Sequence, residues 1–483
     1  MKHLIILLAL CALHGTALAD VLTVDDDGKA DFDNIQAAVD AASDGDEIIV
    51  MPGIYTGSGN AQVISIDAKN ILLHSSDGPE VTLIDGENIP LQRGIWGRTV
   101  GDTGGLYLEG FTIRNCVYDN DSNVGGAGLS WEGGQVTLTN CVFSNNICVD
   151  DTGQVRGGGA AIVDADVYIL NCTFEGNTVE ADTSGAGAHG GGLYLGSCNT
   201  DITNTVFSGN AANHIKAVNA NSGGGGISTH GSSSATDSYC NLTNCTLLDN
   251  YTNGWCGGIS SGNSQLTLDS CSFNNNEGLM GGGFYLQGSI SVATLNDCTF
   301  EDNYVSGWWG GDEISGYHSR GAGVMINAGA QCYLNNCTFT NNASPEGFGG
   351  GVAFWGQVEF GDFGGGLSAS MCTFTNNSST SGGGVWTDLL GEGVAEVIVS
   401  DSGFECNHPD EIAGVYTDGG GNFIVKCPLE CPDTNGDGMV DITDILAVID
   451  QWGVAGGPSD VNGDGIVDLG DLLEIIGNWG PCE

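Results

Sequence analysis

The sequence is poor in basic residues, with 10 Lys and Arg against 60 Asp and Glu in 483 residues and a formal net charge of −50. Binding to nucleic acid through a basic surface is therefore excluded. Proline is scarce as well, at 9 residues, and the 81 glycines follow no three-residue period, which excludes a collagen triple helix. Because 41% of the residues are apolar and are spread along the chain, low-complexity disorder is not expected.

Long hydrophobic runs are also missing. The run Leu4 to Leu13 is too short to span a bilayer, so no membrane insertion is expected. Lys2 precedes this run, and a small-residue segment ending at Ala19 follows it. A basic start, a short apolar core and such an ending are typical of a secretory signal peptide. We therefore predict a signal peptide at residues 1–19 and a secreted or cell-surface protein.

An F-x-x-N motif repeats along the chain, with Leu in place of Phe once. Its copies are Phe143–Asn146, Phe174–Asn177, Phe207–Asn210, Leu247–Asn250, Phe273–Asn276, Phe300–Asn303, Phe339–Asn342, Phe374–Asn377 and Phe404–Asn407. A cysteine stands two residues before the Phe or Leu of the motif at Cys141, Cys172, Cys245, Cys271, Cys298, Cys337 and Cys372. Cys116 stands in the same way two residues before another aromatic residue, Tyr118. A glycine cluster and a short apolar strand lie between successive copies, as at 190–195.

This repeat predicts a parallel β-helix. Val136 and Leu138 alternate as inward residues of a strand, and the alternation slips by one at Asn140 before Cys141 and Phe143. Such a slip needs a tight corner, for which Asn is suited because it tolerates the left-handed backbone region. We assign the second Asn to the next corner and the glycines to the turn before a third strand. Three strands then form one coil, and coils stack about 4.8 Å apart with ladders of Phe, Cys and Asn.

The start of the predicted mature chain fits this solenoid. Residues 33–42 form an amphipathic pattern with a polar cap, which predicts a helix able to cover the first coil. The segment 31–57 resembles the N-terminal cap of pectin-lyase-like right-handed β-helix proteins, and the glycine-plus-FxxN repeats resemble those of the polymorphic outer-membrane protein family. We therefore expect an all-β protein with an N-terminal capping helix and a right-handed parallel β-helix over residues 20–427.

The pattern changes after residue 427, where two acidic loops repeat 27 residues apart. Oxygen-bearing side chains occupy loop positions 1, 3, 5, 9 and 12, with Gly438 or Gly465 at position 6 and a backbone carbonyl at position 7, the calcium-loop spacing of an EF-hand. We predict two Ca²⁺ ions, since hard oxygen ligands suit this cation. The predicted ligands are Asp433, Asn435, Asp437, Met439, Asp441 and Asp444 in one loop, and Asp460, Asn462, Asp464, Ile466, Asp468 and Asp471 in the other.

The paired loops resemble a dockerin module, which we place at residues 428–483 as a small α-helical domain. The resemblance implies docking to a cohesin-like or surface protein. Positions 10 and 11 are Ile442-Thr443 and Leu469-Gly470, which differ from the Ser/Thr pair common in cellulosomal dockerins. A calcium-stabilised C-terminal cap is the alternative interpretation.

Removing Cys11 with the signal peptide leaves 17 cysteines, so at least one is unpaired. We interpret the eight ladder cysteines as small buried apolar groups. Cys406 with Cys427, and Cys431 with Cys482, are the expected disulfides in an oxidising compartment. Cysteine pairs with histidine partners at zinc-ligand spacing are absent from the sequence, so a zinc site is not expected.

No catalytic constellation stands out. Arg156, His189 and Arg320 each precede a glycine cluster, and Lys216 lies in a long insertion, which makes them weak candidates for a polysaccharide lyase or glycoside hydrolase. The alternative is that these charges are solvated or corner residues. The strongly negative net charge argues mildly against an acidic-glycan substrate.

Outward-facing aromatic residues favour carbohydrate binding. If the apolar neighbours of Tyr194 face inward, Tyr194 faces outward, and the same logic applies to Tyr285, Trp355 and Trp386. An exposed aromatic row could stack on sugar rings, unless inserted loops cover it. Two functions therefore stay open. One is a secreted protein that binds or processes polysaccharide and is attached to a surface or multiprotein assembly through the calcium-binding dockerin-like tail. The other is a non-enzymatic adhesin or matrix scaffold with the β-helix as a rigid spacer.

Overall fold

The structure is a computed structural model. It describes residues 19–57, 59, 61–99, 104–119, 125–150, 153–182, 187–214, 222–231, 238–306, 308–309, 317–327, 329–356, 365–388, 396–425, 432–435, 439–454, 459–461 and 466–481. The predicted signal peptide lies almost entirely outside the described residues. So do Cys427, Cys431 and Cys482, and both proposed disulfides therefore stay predictions.

The predicted right-handed parallel β-helix is confirmed, and the described residues between 21 and 425 build it. Its coils build four parallel sheets among the described residues, which we number in the order that a coil passes through them. Sheet 1 carries the strands that follow the glycine clusters. Its strands are Gln62–Asp67, Arg93–Arg98, Leu129–Glu132, Ala160–Val163, Leu193–Gly196, Ile227–His230, Ile259–Gly262, Phe284–Gln287, Val324–Asn327, Val352–Trp355, Val385–Asp388 and Ile412–Ala413.

Sheet 2 follows sheet 1 in each coil. Its strands are Val21–Val24, Glu47–Val50, Ile71–Ser75, Gly105–Glu109, Gln135–Thr139, Asp166–Leu170, Asn199–Thr203, Tyr239–Thr243, Gln265–Asp269, Val292–Asn296, Gln331–Asn335, Gly366–Ser370, Glu396–Ser400 and Thr417–Gly420. Sheet 3 contains the F-x-x-N phenylalanines. Its strands are Gly53–Thr56, Thr82–Asp85, Thr112–Arg114, Val142–Ser144, Thr173–Glu175, Val206–Ser208, Thr246–Leu248, Ser272–Asn274, Thr299–Glu301, Thr338–Thr340, Thr373–Thr375, Gly403–Glu405 and Phe423–Val425.

Sheet 4 was not expected, since the sequence pattern predicted three strands per coil. Its strands are Val117–Asp119, Ile147–Asp150, Thr178–Ala181, Ala211–His214, Tyr251–Thr252, Glu277–Gly278, Tyr304–Val305, Ala343–Phe348 and Ser378–Ser381. Several of these strands have only two residues, too few for a visible apolar alternation. Three small two-stranded sheets pair Val155–Arg156 with Ala188–His189, Trp308–Trp309 with Tyr317–His318, and Met439–Val440 with Gly480–Pro481.

The predicted inward ladders are confirmed. The F-x-x-N phenylalanines are fully buried, and consecutive rings stack with centroids 4.5–4.9 Å apart wherever Phe follows Phe. The eight ladder cysteines are buried free thiols. Each Phe of this ladder contributes apolar burial, and neighbouring rings add offset contact, so the ladder holds successive coils in register.

The asparagine of F-x-x-N has a different role from the predicted corner. The positive φ falls on the preceding residue, such as Asn145 or Asn275, whereas Asn146 and Asn276 are fully buried. The earlier corner at Asn140 does have a positive φ, as predicted. The pattern placed the asparagine near the right turn but could not distinguish the strained corner residue from its buried neighbour.

The buried asparagines form a hydrogen-bonded ladder along the solenoid. Asn250 shows the pattern: its Nδ2 donates to Asn276 Oδ1 at 2.9 Å and to Phe207 O at 2.9 Å, and its Oδ1 accepts from Nδ2 of Asn210 at 3.0 Å. Its backbone N–H also donates to Asn276 Oδ1 at 3.1 Å. Each side-chain amide therefore bonds buried backbone groups of the preceding coil, as Asn250 does by donating to Phe207 O and accepting from the Asn210 N–H.

The ladder has a direction and a defined end. In every bond between two ladder asparagines, Nδ2 of one donates to Oδ1 of the asparagine in the following coil, so the amide dipoles add along the stack, and the last member, Asn407, donates to a carboxylate oxygen of Glu411. Glu411 is buried at 8% exposure. An anionic acceptor is favourable here because the aligned amides present their positive ends to it.

Glycines before sheet 1 make the turn into that sheet. Gly157 and Gly190 have φ near +65°, and a Cβ at either position would lie 2.2–2.3 Å from a carbonyl oxygen of the following strand. An L side chain does not fit there, which explains why the cluster recurs in each coil.

A helix forms where the sequence predicted one, at Ile35–Ala41 (α1). Asn34 Oδ1 accepts from the Ala37 N–H at 2.8 Å, and Lys69 Nζ donates to three carbonyl oxygens at its C-terminal end. Ile35 and Val39 are buried in the main core. That α1 acts as a cap for the column stays a prediction.

Two further helices, Ile442–Asp450 (α2) and Leu469–Gly477 (α3), lie in the C-terminal segment and contact each other. Val440, Val448, Val467 and Ile475 form a small separate core between them. Helices α1, α2 and α3 are all too short for a membrane crossing, and none among the described residues meets that requirement.

We predict that Asn250→Ala destabilises the β-helix by about 3 kcal/mol, because it removes the buried hydrogen bonds that the amide makes to Phe207 and Asn210 of the preceding coil and to Asn276 of the following coil. The midpoint of urea unfolding should fall. The control is Asn241→Ala, which removes a partly exposed amide on sheet 2 that donates to Asp201. Equal midpoints for the two variants would contradict a stabilising ladder.

Candidate functional site

The outward face of sheet 1 carries a row of aligned side chains. Strand register places Trp96, Ser130, Ala161 and Tyr194 on consecutive coils, and the row continues to Tyr285 and beyond. Their inward neighbours, such as Leu193, lie in the main core. The predicted outward direction of Tyr194 and Tyr285 is thus confirmed.

The predicted exposure of the aromatic row is wrong. Tyr194 is 5% exposed, Tyr285 is 2% exposed and Trp355 is 5% exposed, while Trp386 is partly buried. Side chains that precede the glycine clusters fold over them. Arg156 lies over Tyr194, with its Cζ 5.0 Å from the ring centroid.

The arginine–tryptophan cluster, defined by Arg320, Phe348, Trp355 and Trp386, covers the C-terminal part of this face. Arg320 Cζ lies 4.1 Å from the Trp355 centroid and 5.4 Å from that of Trp386, which stacks on Phe348 at 4.8 Å. Arg320 is itself buried. A guanidinium among indole faces is stabilised by cation–π contact. Arg320 therefore helps to bury Trp355.

The histidine cluster, defined by Arg156, His189, Tyr194 and His230, lies three to five coils away from Arg320, about 14 to 24 Å at one strand spacing per coil. Arg156 and His189 are paired neighbours on adjacent coils. The rings of His189 and His230 meet edge to face at 5.3 Å, and Tyr194 lies 6.0 Å from His230. Two of the four candidate catalytic residues are thus brought together. Arg320 is not among them, and Lys216 lies outside the described residues.

His230 was missed in the sequence. It ends the strand Ile227–His230 and pairs in register with Gly196 of the preceding coil. Aligning the coils at their glycine clusters would have placed it beside Tyr194. The signal was present, but variable insertions between the clusters hid the register.

Burial sets the protonation of this cluster. It lowers the pKa of His230 to about 4, helped by the charge of Arg156, and it lowers the pKa of His189 well below its usual value, with His230 and Arg156 adding to the effect. Both imidazoles are therefore neutral at pH 7. Burial also raises the pKa of Tyr194, although the positive charge of Arg156 opposes the rise. The phenol accordingly keeps its proton.

The neutral imidazoles have free capacity for proton transfer. The described structure gives no hydrogen-bond partner to His189 Nδ1 or His230 Nε2, although both atoms are buried. His230 and Arg156 are partly exposed, so the cluster is reached from solvent through them. A proton acceptor, a phenol donor and a cation at one point on a surface form an arrangement suited to acid–base chemistry.

The predicted calcium loops are described only in part, since Asp437, Asn462 and Asp464 lie outside the described residues. Asp444 and Asp471 are fully buried at the starts of α2 and α3. Asp444 accepts from the N–H groups of Thr434 and Asp441, both at 2.8 Å, and Asp471 accepts from the Asp468 N–H at 2.8 Å. Among the described residues, no group of three or more His, Cys, Asp and Glu side chains is arranged around a metal position.

Family comparison supports the fold. Residues 165–362 match a family model described as a right-handed β-helix region, and residues 371–388 match the repeat of the chlamydial polymorphic membrane protein. No curated protein matches the chain.

Solved structures with a similar course include the A-module of a mannuronan C-5 epimerase of Azotobacter vinelandii, at 13% identity, with 82% of this chain and 94% of that chain covered and a TM-score of 0.36. The pectate lyase Pel9A is 11% identical, with coverages of 94% and 88% and a TM-score of 0.31. A mannuronic acid specific family 6 polysaccharide lyase from human gut microbiota is also 11% identical, with coverages of 84% and 82% and a TM-score of 0.33. At these values, function has to be argued from the residues of this chain.

We predict that the stability of the protein falls as the pH is lowered from 6.5 towards 4. The unfolded state binds a proton on His230 in this window while the folded state does not, so acid favours unfolding. Urea-unfolding midpoints measured across this range should show a smaller pH dependence for His230→Gln than for the wild type. An identical dependence for both proteins would contradict the lowered pKa of His230.

Proposed function

We propose that this protein binds a polysaccharide along the outward face of sheet 1 and acts on it by acid–base chemistry at the histidine cluster. The observation that carries this proposal is the meeting of Tyr194 and Arg156 with two neutral imidazoles, each of which has a ring nitrogen without a hydrogen-bond partner among the described residues. Buried groups with strongly shifted pKa values beside a specific charge favour a functional site over a packing role.

A linear polymer is the ligand that suits a solenoid. Sheet 1 presents equivalent positions once per coil, about 4.8 Å apart, so it matches a ligand that repeats along one direction. The net charge of −50 disfavours nucleic acid. A polysaccharide offers both apolar ring faces for the aromatic residues and hydroxyl groups for the polar ones.

The residues of the histidine cluster have distinct proposed roles. An imidazole nitrogen of His189 or His230 accepts a proton from the sugar, and the Tyr194 phenol supplies one to the opposite side of the reacting unit. Arg156 stabilises negative charge that develops on the substrate. Tyr285, Trp355 and Trp386 were predicted to bind carbohydrate directly. We assign them instead a packing role on this face, where neighbouring side chains cover them.

A non-enzymatic scaffold is the second candidate, and docking through the C-terminal helices suits it as well as the polysaccharide-acting protein. Two equivalent apolar faces are about half exposed: Ile442, Leu446, Ile449 and Trp452 near α2, and Leu469, Leu473, Ile476 and Trp479 near α3. Each residue of one face lies 27 positions from its counterpart. Exposed apolar faces of this kind suit protein docking, so we propose attachment to a cohesin-like or surface protein through residues 428–483.

Calcium binding is part of this proposal, and the donor set fits it. Residues 428–483 contain twelve Asp and Glu but no Lys, Arg or His. The buried carboxylates of Asp444 and Asp471 therefore have no basic side chain within this segment to balance their charge. The predicted loop oxygens would hold two Ca²⁺ ions, each supplying positive charge at the start of one helix.

The proposal also includes secretion of the protein and the covering of its first coil by α1. We infer that residues 1–19 direct secretion and that α1 closes the apolar column at the first coil. The second inference is supported by the burial of Ile35 and Val39 against the main core and by the contact of Lys69 with the helix end. A solenoid needs such a cover because the coil at its end otherwise exposes apolar side chains.

We predict that Tyr194→Phe and His230→Gln each lower turnover of a polysaccharide substrate at least a hundredfold, because each removes a proton-transfer group. A panel of acidic and neutral polysaccharides should be screened with the wild type for new chain ends, unsaturated products and altered sugar configuration. The control is His74→Gln, which changes a histidine on the outward face of sheet 2 beside Glu47. Wild-type rates in both site variants would overturn the assignment, and an inactive wild type would favour the scaffold.

We predict that EDTA exposes residues 428–483 to proteolysis in the full chain while the β-helix stays resistant, and that added Ca²⁺ restores protection. Asp471→Ala should remove one of two calcium-binding events in a calorimetric titration. The matched control, Asp450→Asn, changes an exposed acid outside the predicted ligand set. Protection that is independent of calcium would contradict the proposal.

A further inference from the structure

A small cavity lies on the outward face of sheet 1, towards its N-terminal end. It has a volume of about 200 Å³ and is lined by Arg93, Trp96, Arg98, Tyr118, Ser130 and Glu132, together with Gly97 and Trp131. Pockets for drug-sized ligands begin at about 300 Å³, so this one has room for a single ring-sized unit. We call it the Trp96 cavity.

One buried polar group in the Trp96 cavity lacks a partner. Ser130 is 1% exposed, and its hydroxyl makes no hydrogen bond to any of the residues that the structure describes. A buried hydroxyl without a partner is costly, whereas a ligand hydroxyl at this position would satisfy it. The observation therefore points to a polar ligand.

The other walls suit a sugar ring. Trp96 is partly exposed, and Arg98 lies beside it with Cζ 5.8 Å from the ring centroid while its Nε donates to Asp67 at 2.8 Å. Glu132 is exposed at the rim and offers carboxylate oxygens to ligand hydroxyls. An aromatic face with hydroxyl, carboxylate and guanidinium groups around it matches a pyranose, which has an apolar face and a polar edge.

Two walls are held in place by contacts within the protein. The guanidinium of Arg93 donates to Gly126 O at 2.6 Å and to Gly125 O at 3.1 Å, and its Cζ lies 3.7 Å from the Tyr118 ring centroid. Arg93 is therefore a positioning residue that fixes Tyr118. A cavity with fixed walls loses little conformational freedom when a ligand binds.

The cavity lies in line with the histidine cluster. Trp96 and Tyr194 occupy the same outward row, three coils apart, or about 14 Å. A sugar ring linked through opposite ring atoms is about 5 Å long, given bonds of about 1.5 Å. One sugar per coil therefore carries a chain from Tyr194 to Trp96 in three steps.

We propose that the Trp96 cavity binds one sugar unit of the same glycan, three units from the unit held at the histidine cluster. This inference rests on the proposed function, because it takes the direction and the origin of the glycan from that site. It makes the protein selective for chains of at least four units.

The test is calorimetric binding to the full chain, with oligosaccharides of two, four and six units prepared from neutral and from uronic-acid polysaccharides. Wild-type affinity should rise about tenfold between two and four units, and Trp96→Ala should abolish this gain. Ser130→Ala should also weaken binding of the four-unit ligand several-fold without lowering the urea-unfolding midpoint, because the lost hydroxyl has no hydrogen-bond partner in the described part of the chain. Tyr168→Ala, an exposed aromatic residue on sheet 2, is the control and should bind as the wild type does.

The possible failures are distinguishable. Oligosaccharide binding in which Trp96→Ala and Ser130→Ala keep the full gain with length would overturn the Trp96 cavity as a sugar site and leave the histidine cluster untouched. A wild type that binds none of the oligosaccharides would overturn both this inference and the proposed function.

Discussion

The rest of this structure depends on coils that stack one strand spacing apart. The buried asparagine ladder holds the coils at this spacing through its hydrogen bonds. Each amide joins the preceding coil to the following one, as Asn250 does between Phe207 and Asn276. Because the ladder fixes the register, every other position of a coil also falls into a row. The Phe column inside and the outward row from Trp96 to Tyr194 are both consequences of that register.

The inward or outward direction of a side chain could be predicted from the sequence, whereas its burial by residues of a neighbouring coil could not. Alternation of apolar residues correctly placed Phe143 inside and Tyr194 outside, because side-chain direction follows from the period of a strand. The burial of Tyr194 depends on Arg156, which belongs to the preceding coil and approaches only in three dimensions. Similarly, Asn145 and Asn146 are adjacent and identical in type, and only the backbone angles separate the strained corner from the buried amide.

The candidate site combines residues whose separation in sequence varies with the insertions. Arg156, His189 and His230 are 33 and 41 residues apart, yet they meet because each stands next to a glycine cluster or its strand. Their chemistry depends on burial that the sequence does not state. A histidine at the surface would be partly protonated near neutrality, whereas burial and the neighbouring Arg156 lower the pKa of His230 to about 4. The solenoid thus brings these three residues together and, by burying them, keeps the imidazoles neutral.

Hydrogen–deuterium exchange of the full chain, with and without a bound oligosaccharide, tests most directly whether the outward face of sheet 1 is the functional surface. When the glycan is bound, we expect slower amide exchange in the strands Arg93–Arg98, Leu129–Glu132, Ala160–Val163, Leu193–Gly196 and Ile227–His230. Slower exchange confined to sheets 2 and 3, with sheet 1 unchanged, would contradict it.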